Sequence, residues 1–97
     1  MDLKYTDRHR ESRAAQSRKF AQQLIAKLWN GEPLPFAEPL PFWDHDAMMD
    51  EYEAAMTTME FAEASDVIKQ AFLTLYQQHQ QILSKMQEAM QAQMQQQ

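Results

Sequence analysis

The sequence has no cysteine, one glycine and few β-branched residues. Valine, isoleucine and threonine together make up eight of its 97 residues. Because strands are rich in β-branched residues and tight hairpin turns depend on glycine, this composition excludes a β-rich fold and predicts an all-α protein. The absence of cysteine also excludes disulfides and thiolate metal sites, and it favours a reducing compartment such as the cytoplasm.

Long apolar runs are missing as well. No run approaches the roughly 18 residues that a membrane span requires. Residues 1–5 lack the apolar core of a signal peptide. We therefore expect a cytoplasmic protein that makes no membrane contact.

The residues that usually build a core are scarce. Leucine, isoleucine, valine and phenylalanine total 17 of 97 residues, fewer than a chain normally needs to bury a stable core alone. Eight methionines, two tryptophans and three tyrosines compensate in part. We predict one small domain, residues 1–97, that is completed by a partner or by further copies of itself.

The charges are unevenly distributed along the chain. Residues 1–31 contain seven of the nine basic side chains, whereas residues 32–68 contain ten acidic side chains and no lysine or arginine. Such a chain can fold its basic part onto its own acidic part, pair the two parts between subunits, or present each to a different partner. We favour the first two arrangements.

A basic helix is predicted over residues 6–29, because apolar residues recur at helical spacing in its second half and Asn30-Gly31 supplies a stop signal. Thr6 or Asp7 is the expected N-cap. The helix also carries a basic patch: Arg8, Arg10, Arg13, Arg18 and Lys19. This patch could contact a phosphate backbone or an acidic protein. Alternatively it is a solvated face or a partner for acidic residues of the same chain, and we favour this interpretation.

The next segment, residues 31–43, contains all four prolines in a tandem repeat, Glu-Pro-Leu-Pro-Phe-Ala followed by Glu-Pro-Leu-Pro-Phe-Trp. Alternating prolines exclude helix and favour an extended, polyproline II-like strap of about 3.1 Å per residue. With three residues per turn, a spacing of six returns Leu40 to the face of Leu34 and Phe42 to the face of Phe36, so the strap presents a regular apolar edge. That edge either braces the helices of this chain or binds a groove on another protein. Its candidate contact residues are Leu34, Phe36, Leu40, Phe42 and Trp43.

An acidic, methionine-rich helix is predicted over residues 46–63, with Asp44 or Asp46 as its N-cap. Methionine suits both cores and adaptable binding surfaces, so its apolar face is either core or a partner-binding surface. That face consists of Met49, Tyr52, Met56 and Met59. The apolar pattern then changes phase. Either the helix breaks near residue 65, with Ser65 as a new N-cap, or one continuous helix over residues 46–94 carries two different apolar faces; we favour the break.

An amphipathic helix rich in glutamine and methionine is predicted over residues 66–94. Its apolar residues occupy three of the seven heptad positions, a stripe that suits a helix bundle or a higher oligomer. We predict self-association through Ile68, Phe72, Leu75, His79, Ile82, Leu83, Met86 and Met90. The expected architecture is two or three helices joined by the proline-rich strap, with a coiled-coil or bundle-like C-terminal helix.

No catalytic motif is recognisable, and we expect neither enzymatic activity nor a cofactor. The chain has no cysteine nucleophile, no glycine-rich phosphate loop and no serine in a nucleophile elbow. The densest group of metal-ligating residues, Asp44-His45-Asp46, lacks the spacing of a metal site, and helix capping accounts for its acids. His79 lies on the apolar stripe, where a buried, hydrogen-bonded or register-setting histidine is a better interpretation than a catalytic base.

We therefore predict a non-enzymatic assembly protein that associates with itself, with a larger protein assembly, or with both. In general style the chain is similar to small phage-encoded structural or accessory proteins, and such a protein would occupy the host cytoplasm or the virion. The main alternative is a small acidic inhibitor of a host nucleic-acid-binding enzyme or defence complex. Its phosphate-imitating side chains would be Glu51, Glu53, Glu60, Glu63 and Asp66. The third hypothesis is a nucleic-acid binder that uses the basic helix.

Overall fold

The computed structural model describes the backbone of residues 2–95 and the side chains of residues 12–93. This part of the chain contains four helices and no strand, which confirms the all-α fold class. The helices are α1 (Asp2–Trp29), α2 (His45–Met56), α3 (Met59–Ala62) and α4 (Asp66–Gln95). Among these residues, no helix offers an apolar stretch of the length that crossing a membrane requires.

The first helix begins at Asp2 and not at residue 6, so the predicted N-cap at Thr6 or Asp7 is wrong. Residues 2–13 contain neither proline nor glycine. Because most of them are also acceptable helix formers, nothing in this stretch prevents the helix from extending to its first residues.

The predicted end of α1 is confirmed at Gly31, whose φ of 69° is a backbone conformation that favours glycine. The Gly31 N–H donates to the Leu28 carbonyl over 3.2 Å, and the Glu32 N–H donates to the Lys27 carbonyl over 2.9 Å. Together these bonds form a Schellman motif. The Lys27 ammonium lies 3.8 Å from the Glu32 carboxylate at the same turn.

The predicted helix over residues 46–63 is divided into α2 and α3. Asp44 is the N-cap of α2 and accepts the Ala47 N–H over 3.0 Å. The hydroxyls of Thr57 and Thr58 donate to carbonyls three residues earlier, over 2.9 and 2.8 Å. Such bonds offer the backbone an alternative to helical pairing. Thr58 then caps α3 by accepting the Phe61 N–H.

The predicted break before the last helix is confirmed. The Ser65 hydroxyl accepts the Ile68 N–H over 3.3 Å, as an N-cap does. From Asp66 onward α4 is continuous to Gln95, because no proline or glycine follows residue 65.

The three longer helices pack around one small core. Ser17 of α1 bonds to the start of α2, and Trp29 at the end of α1 packs on Phe61 beyond the end of α2. Trp29 also packs on Phe72 near the start of α4, so α4 runs opposite to α1 and α2. The buried apolar core consists of Ala21, Leu24, Leu28, Met48, Tyr52, Phe72 and Leu75.

Candidate interaction surfaces

Two buried histidines connect α2, α4 and the proline-rich segment. His45 is the first residue of α2, and its Nδ1 lies 2.7 Å from Nδ1 of His79 in α4. On its other side, His45 Nε2 lies 3.3 Å from the Pro41 carbonyl oxygen. His79 Nε2 lies 3.1 Å from the Tyr52 hydroxyl oxygen. His79 and Tyr52 are fully buried, and His45 is nearly so.

The acceptors determine where the protons of this group lie. Because the Pro41 carbonyl can only accept, His45 carries its proton on Nε2 and accepts at Nδ1. His79 therefore donates from Nδ1 to His45 and accepts the Tyr52 hydroxyl proton at Nε2. In this arrangement both rings are neutral and every polar atom of the three side chains is paired.

Burial disfavours the charged forms of His79 and Tyr52. Desolvation, followed by the neighbouring His45, lowers the pKa of His79 from its ordinary value of 6.5 to about 4. Desolvation also raises the pKa of the Tyr52 hydroxyl. Since all three side chains are enclosed and bonded to one another, they hold the helices in register.

The predicted oligomerisation residues follow a gradient along α4. Phe72, Leu75 and His79 are buried within this chain's own core, while Ile68, Ile82 and Leu83 are half-buried. The stripe then becomes exposed, to 45% at Met86 and 64% at Met90. The first members of the set thus lie in the monomer's interior, and only the last ones are open to another molecule.

The predicted contact residues of the proline-rich segment are divided in the same way. Leu34, Phe36 and Trp43 are half-buried against the core. The Trp43 ring centre lies 4.8 Å from that of Phe20 and 5.3 Å from that of Phe36. Leu40 and Phe42 remain exposed.

The residues of the methionine face predicted to bind a partner range from buried to exposed. Tyr52 is buried beside His79, and Met56 packs against the core. Met49 is half-buried. Met59, in α3, is exposed and available for contact.

The described members of the basic patch have different surroundings. The Arg18 guanidinium lies 3.6 Å from the Asp50 carboxylate and 3.7 Å from that of Glu51, so part of the basic helix is paired within the chain. Arg13 and Lys19 are exposed and line a cleft beside Phe42. The side chains of Arg8 and Arg10 lie outside the described residues.

The three residues of Asp44-His45-Asp46 lie in three different environments. Asp44 caps α2, His45 turns into the core and Asp46 is exposed. Among the side chains that the structure describes, no three histidines or acids are grouped closely enough to hold a metal ion.

Comparison with known proteins gives no match. No family model, curated protein or solved structure matches the chain. What this protein does is therefore inferred from its own exposed surfaces.

Sequence reasoning anticipated a buried, hydrogen-bonded His79 but missed its partner. His45 looked like part of an acidic cluster because its neighbours are aspartates. The available signal was its position directly after the capping Asp44. The first residue of an amphipathic helix can face the core as readily as solvent.

Proposed function

We propose that this protein is a non-enzymatic assembly component that associates with further copies of itself through the C-terminal end of α4. The observation that supports this proposal is the exposure gradient along one stripe of that helix. The stripe is covered by α1 and α2 as far as His79, and the same stripe is uncovered at Met86 and Met90. The apolar side chains of the stripe continue beyond the part that α1 and α2 cover, and a second molecule could bury them.

The chemistry of the helix end suits a second copy. Lys85 and Glu88 are the only charged residues after residue 80, so two such ends would meet without repulsion. A free end of about a dozen residues is only marginally helical by itself. Burying a methionine side chain contributes about 1.5–3 kcal/mol, and its flexibility lets it fit an irregular interface.

The finer architecture belongs to the same proposal. We propose that residues 31–43 act as an extended strap and that the ends of α4 join in a bundle or coiled coil. The compartment that accompanies this proposal is the cytoplasm favoured by the cysteine-free composition, or the virion if the protein is a phage structural component.

The test is the molar mass of the purified protein, measured by light scattering across a range of concentrations. We expect the wild type to be larger than a monomer, and Met86→Gln together with Met90→Gln to reduce the mass. Met59→Gln is the matched control, because it removes an exposed methionine outside the stripe. A wild type that stays monomeric at high micromolar concentration would refute the proposal.

The acidic inhibitor is the second candidate function. It is supported by the exposure of Glu60, Glu63 and Asp66 around α3, whereas Glu51 is already paired with Arg18. An inhibitor would keep its activity in the Met86/Met90 variant and lose it when Glu60 and Glu63 become glutamine. The nucleic-acid hypothesis is weakened by the pairing of Arg18.

A further inference from the structure

The two copies of the repeated hexapeptide lie in different environments. Leu34 and Phe36, in the first copy, pack against the core. Their equivalents in the second copy are exposed, Leu40 to 42% and Phe42 to 66%. The leucine and phenylalanine are thus packed against the core in the first copy of the repeat and exposed to solvent in the second.

The backbone of the second copy is nevertheless held in place. The Pro41 carbonyl accepts a hydrogen bond from His45, and the Ala37 carbonyl accepts one from the Gln78 amide over 3.2 Å. Pro39 is buried. Leu40 and Phe42 are therefore presented on a fixed backbone, which lowers the entropy lost when they bind.

A cleft of about 510 Å³ adjoins the exposed Phe42. Phe20 and Trp43 contribute aromatic surface to it, and Arg13 and Lys19 contribute positive charge. The aromatic surface already packs one phenylalanine of the repeat, because Phe36 lies against both Phe20 and Trp43.

The cleft and the segment that carries Phe42 have opposite charge. Arg13 and Lys19 line the cleft, while Glu38 and Asp46 are exposed acids four residues before and four residues after Phe42 in the sequence. A basic cleft and an acidic segment on the same chain suit a twofold contact between identical molecules.

We propose that Leu40 and Phe42 of one molecule pack into the Phe20–Trp43 cleft of a second copy, and that the second copy does the same in return. Arg13 and Lys19 then face acids of the other molecule. The inference rests on the proposed self-association and gives it a second surface, separate from the end of α4. Two apolar side chains per molecule make this a small contact, so the dimer that depends on it alone is to be measured at high micromolar protein concentration.

The test compares four full-length chains by sedimentation velocity: the wild type, Phe42→Gln, the Met86/Met90 glutamine variant, and the combination of all three changes. Two separate twofold surfaces generate assemblies larger than dimers, so we expect dimers from either set of changes and monomers from the combination. Val67→Gln, an exposed apolar position on α4 outside the cleft, should behave as the wild type.

The outcomes separate the two proposals. If Phe42→Gln leaves the mass unchanged in both backgrounds while the methionine changes reduce it, this inference is wrong and the proposed function stands. If only Phe42→Gln reduces the mass, association through α4 is wrong. Monomers throughout would overturn both.

A charge exchange identifies the second copy as the occupant. In the methionine background, Arg13→Glu should weaken the dimer about fivefold, as should Glu38→Arg. In a mixed dimer both contacts between positions 13 and 38 again pair a glutamate with an arginine, so mixing the two variants should restore association. Mixtures that associate no better than either variant alone would show that these side chains do not meet.

Discussion

At the scale of single residues, His79 joins α4 to α2 and, through His45, to the proline-rich segment. Each nitrogen of the pair has one partner, and the proton positions follow from the Pro41 carbonyl at one end. Because no alternative partner lies in this enclosed group, removing any member leaves a buried polar atom unpaired.

Tyr52→Phe should lower the free energy of unfolding by about 1–3 kcal/mol, since His79 Nε2 loses its donor in a buried site. Tyr76→Phe is the matched control, because the Tyr76 hydroxyl donates to Glu53 at an exposed position and its loss should cost under about 1 kcal/mol. Urea denaturation at pH 7.5 measures both. Equal losses would contradict the hydrogen-bond chain.

The protonation of the pair is directly observable. We expect ¹⁵N spectra of the histidine rings at pH 7 to show His79 protonated on Nδ1 and His45 on Nε2. His79 should remain neutral until the pH approaches 4, in keeping with its lowered pKa. A His79 ring protonated on Nε2 would refute the assignment.

The free energy of unfolding should fall as the pH decreases from 6.5 to about 4. In that range the unfolded chain has a protonated His79 and the folded protein does not, so acid favours unfolding by up to about 1.4 kcal/mol per pH unit. Above pH 6.5 this contribution to the pH dependence vanishes. Urea midpoints at pH 7.5, 6.5 and 5.5 test it.

His79→Leu and His79→Gln provide the comparison for this pH dependence. Both variants lack the titrating ring, so whichever of them folds should show a flatter response between pH 6.5 and 5.5. An unchanged slope would mean that other groups cause the loss of stability in acid.

At the scale of helices, single polar side chains determine where each element begins and ends. Asp44, Thr58 and Ser65 each accept a backbone N–H three residues later. These caps divide residues 44–95, which contain no proline or glycine, into three helices.

Ser65→Ala should destabilise the protein by about 0.5–2 kcal/mol, because the Ile68 N–H loses its acceptor at the start of α4. Ser84 is a solvent-exposed residue away from the ends of the same helix. Ser84→Ala should be neutral or slightly stabilising, since alanine is the better helix former. Thermal unfolding of both variants tests the cap. Indistinguishable midpoints would argue against it.

Local signals made most of these helices predictable from the sequence. Asn30-Gly31, Asp44 and Ser65 act on neighbouring backbone atoms, so their effect depends on a few adjacent residues. The division at Thr57-Thr58 was missed because the apolar periodicity continues across it, although both threonines can cap a helix. The contact of His45 with His79 spans 34 residues. It depends on the register between antiparallel helices, which one helix's pattern does not specify.

At the scale of the whole molecule, the buried side chains among residues 12–93 lie between Ser17 and His79. The thin core predicted from composition thus occupies the middle of the chain. The Met86–Met90 end of α4 adds length, about 1.5 Å per residue, without adding to that core. Under the proposed function, folding and association through α4 would therefore depend on largely separate residues.

Removing residues 84–97 should leave this core intact. At low protein concentration we expect the thermal midpoint to change by no more than about 4 °C, the equivalent of under about 1 kcal/mol for a domain of this size. The wild-type midpoint should rise with protein concentration, as for any associating protein, and that of the shortened chain should rise less. A collapse of the shortened chain would show that the end of α4 supports the fold.

The exchange of the proton between His79 and His45 can report how often the core opens. This proton lies between two rings enclosed by α2, α4 and Pro41, so solvent can replace it only when these elements separate. Its exchange with deuterium should therefore be among the slowest in the molecule and should follow the opening of the whole core. One imidazole signal would then report how often the native protein unfolds, without any denaturant.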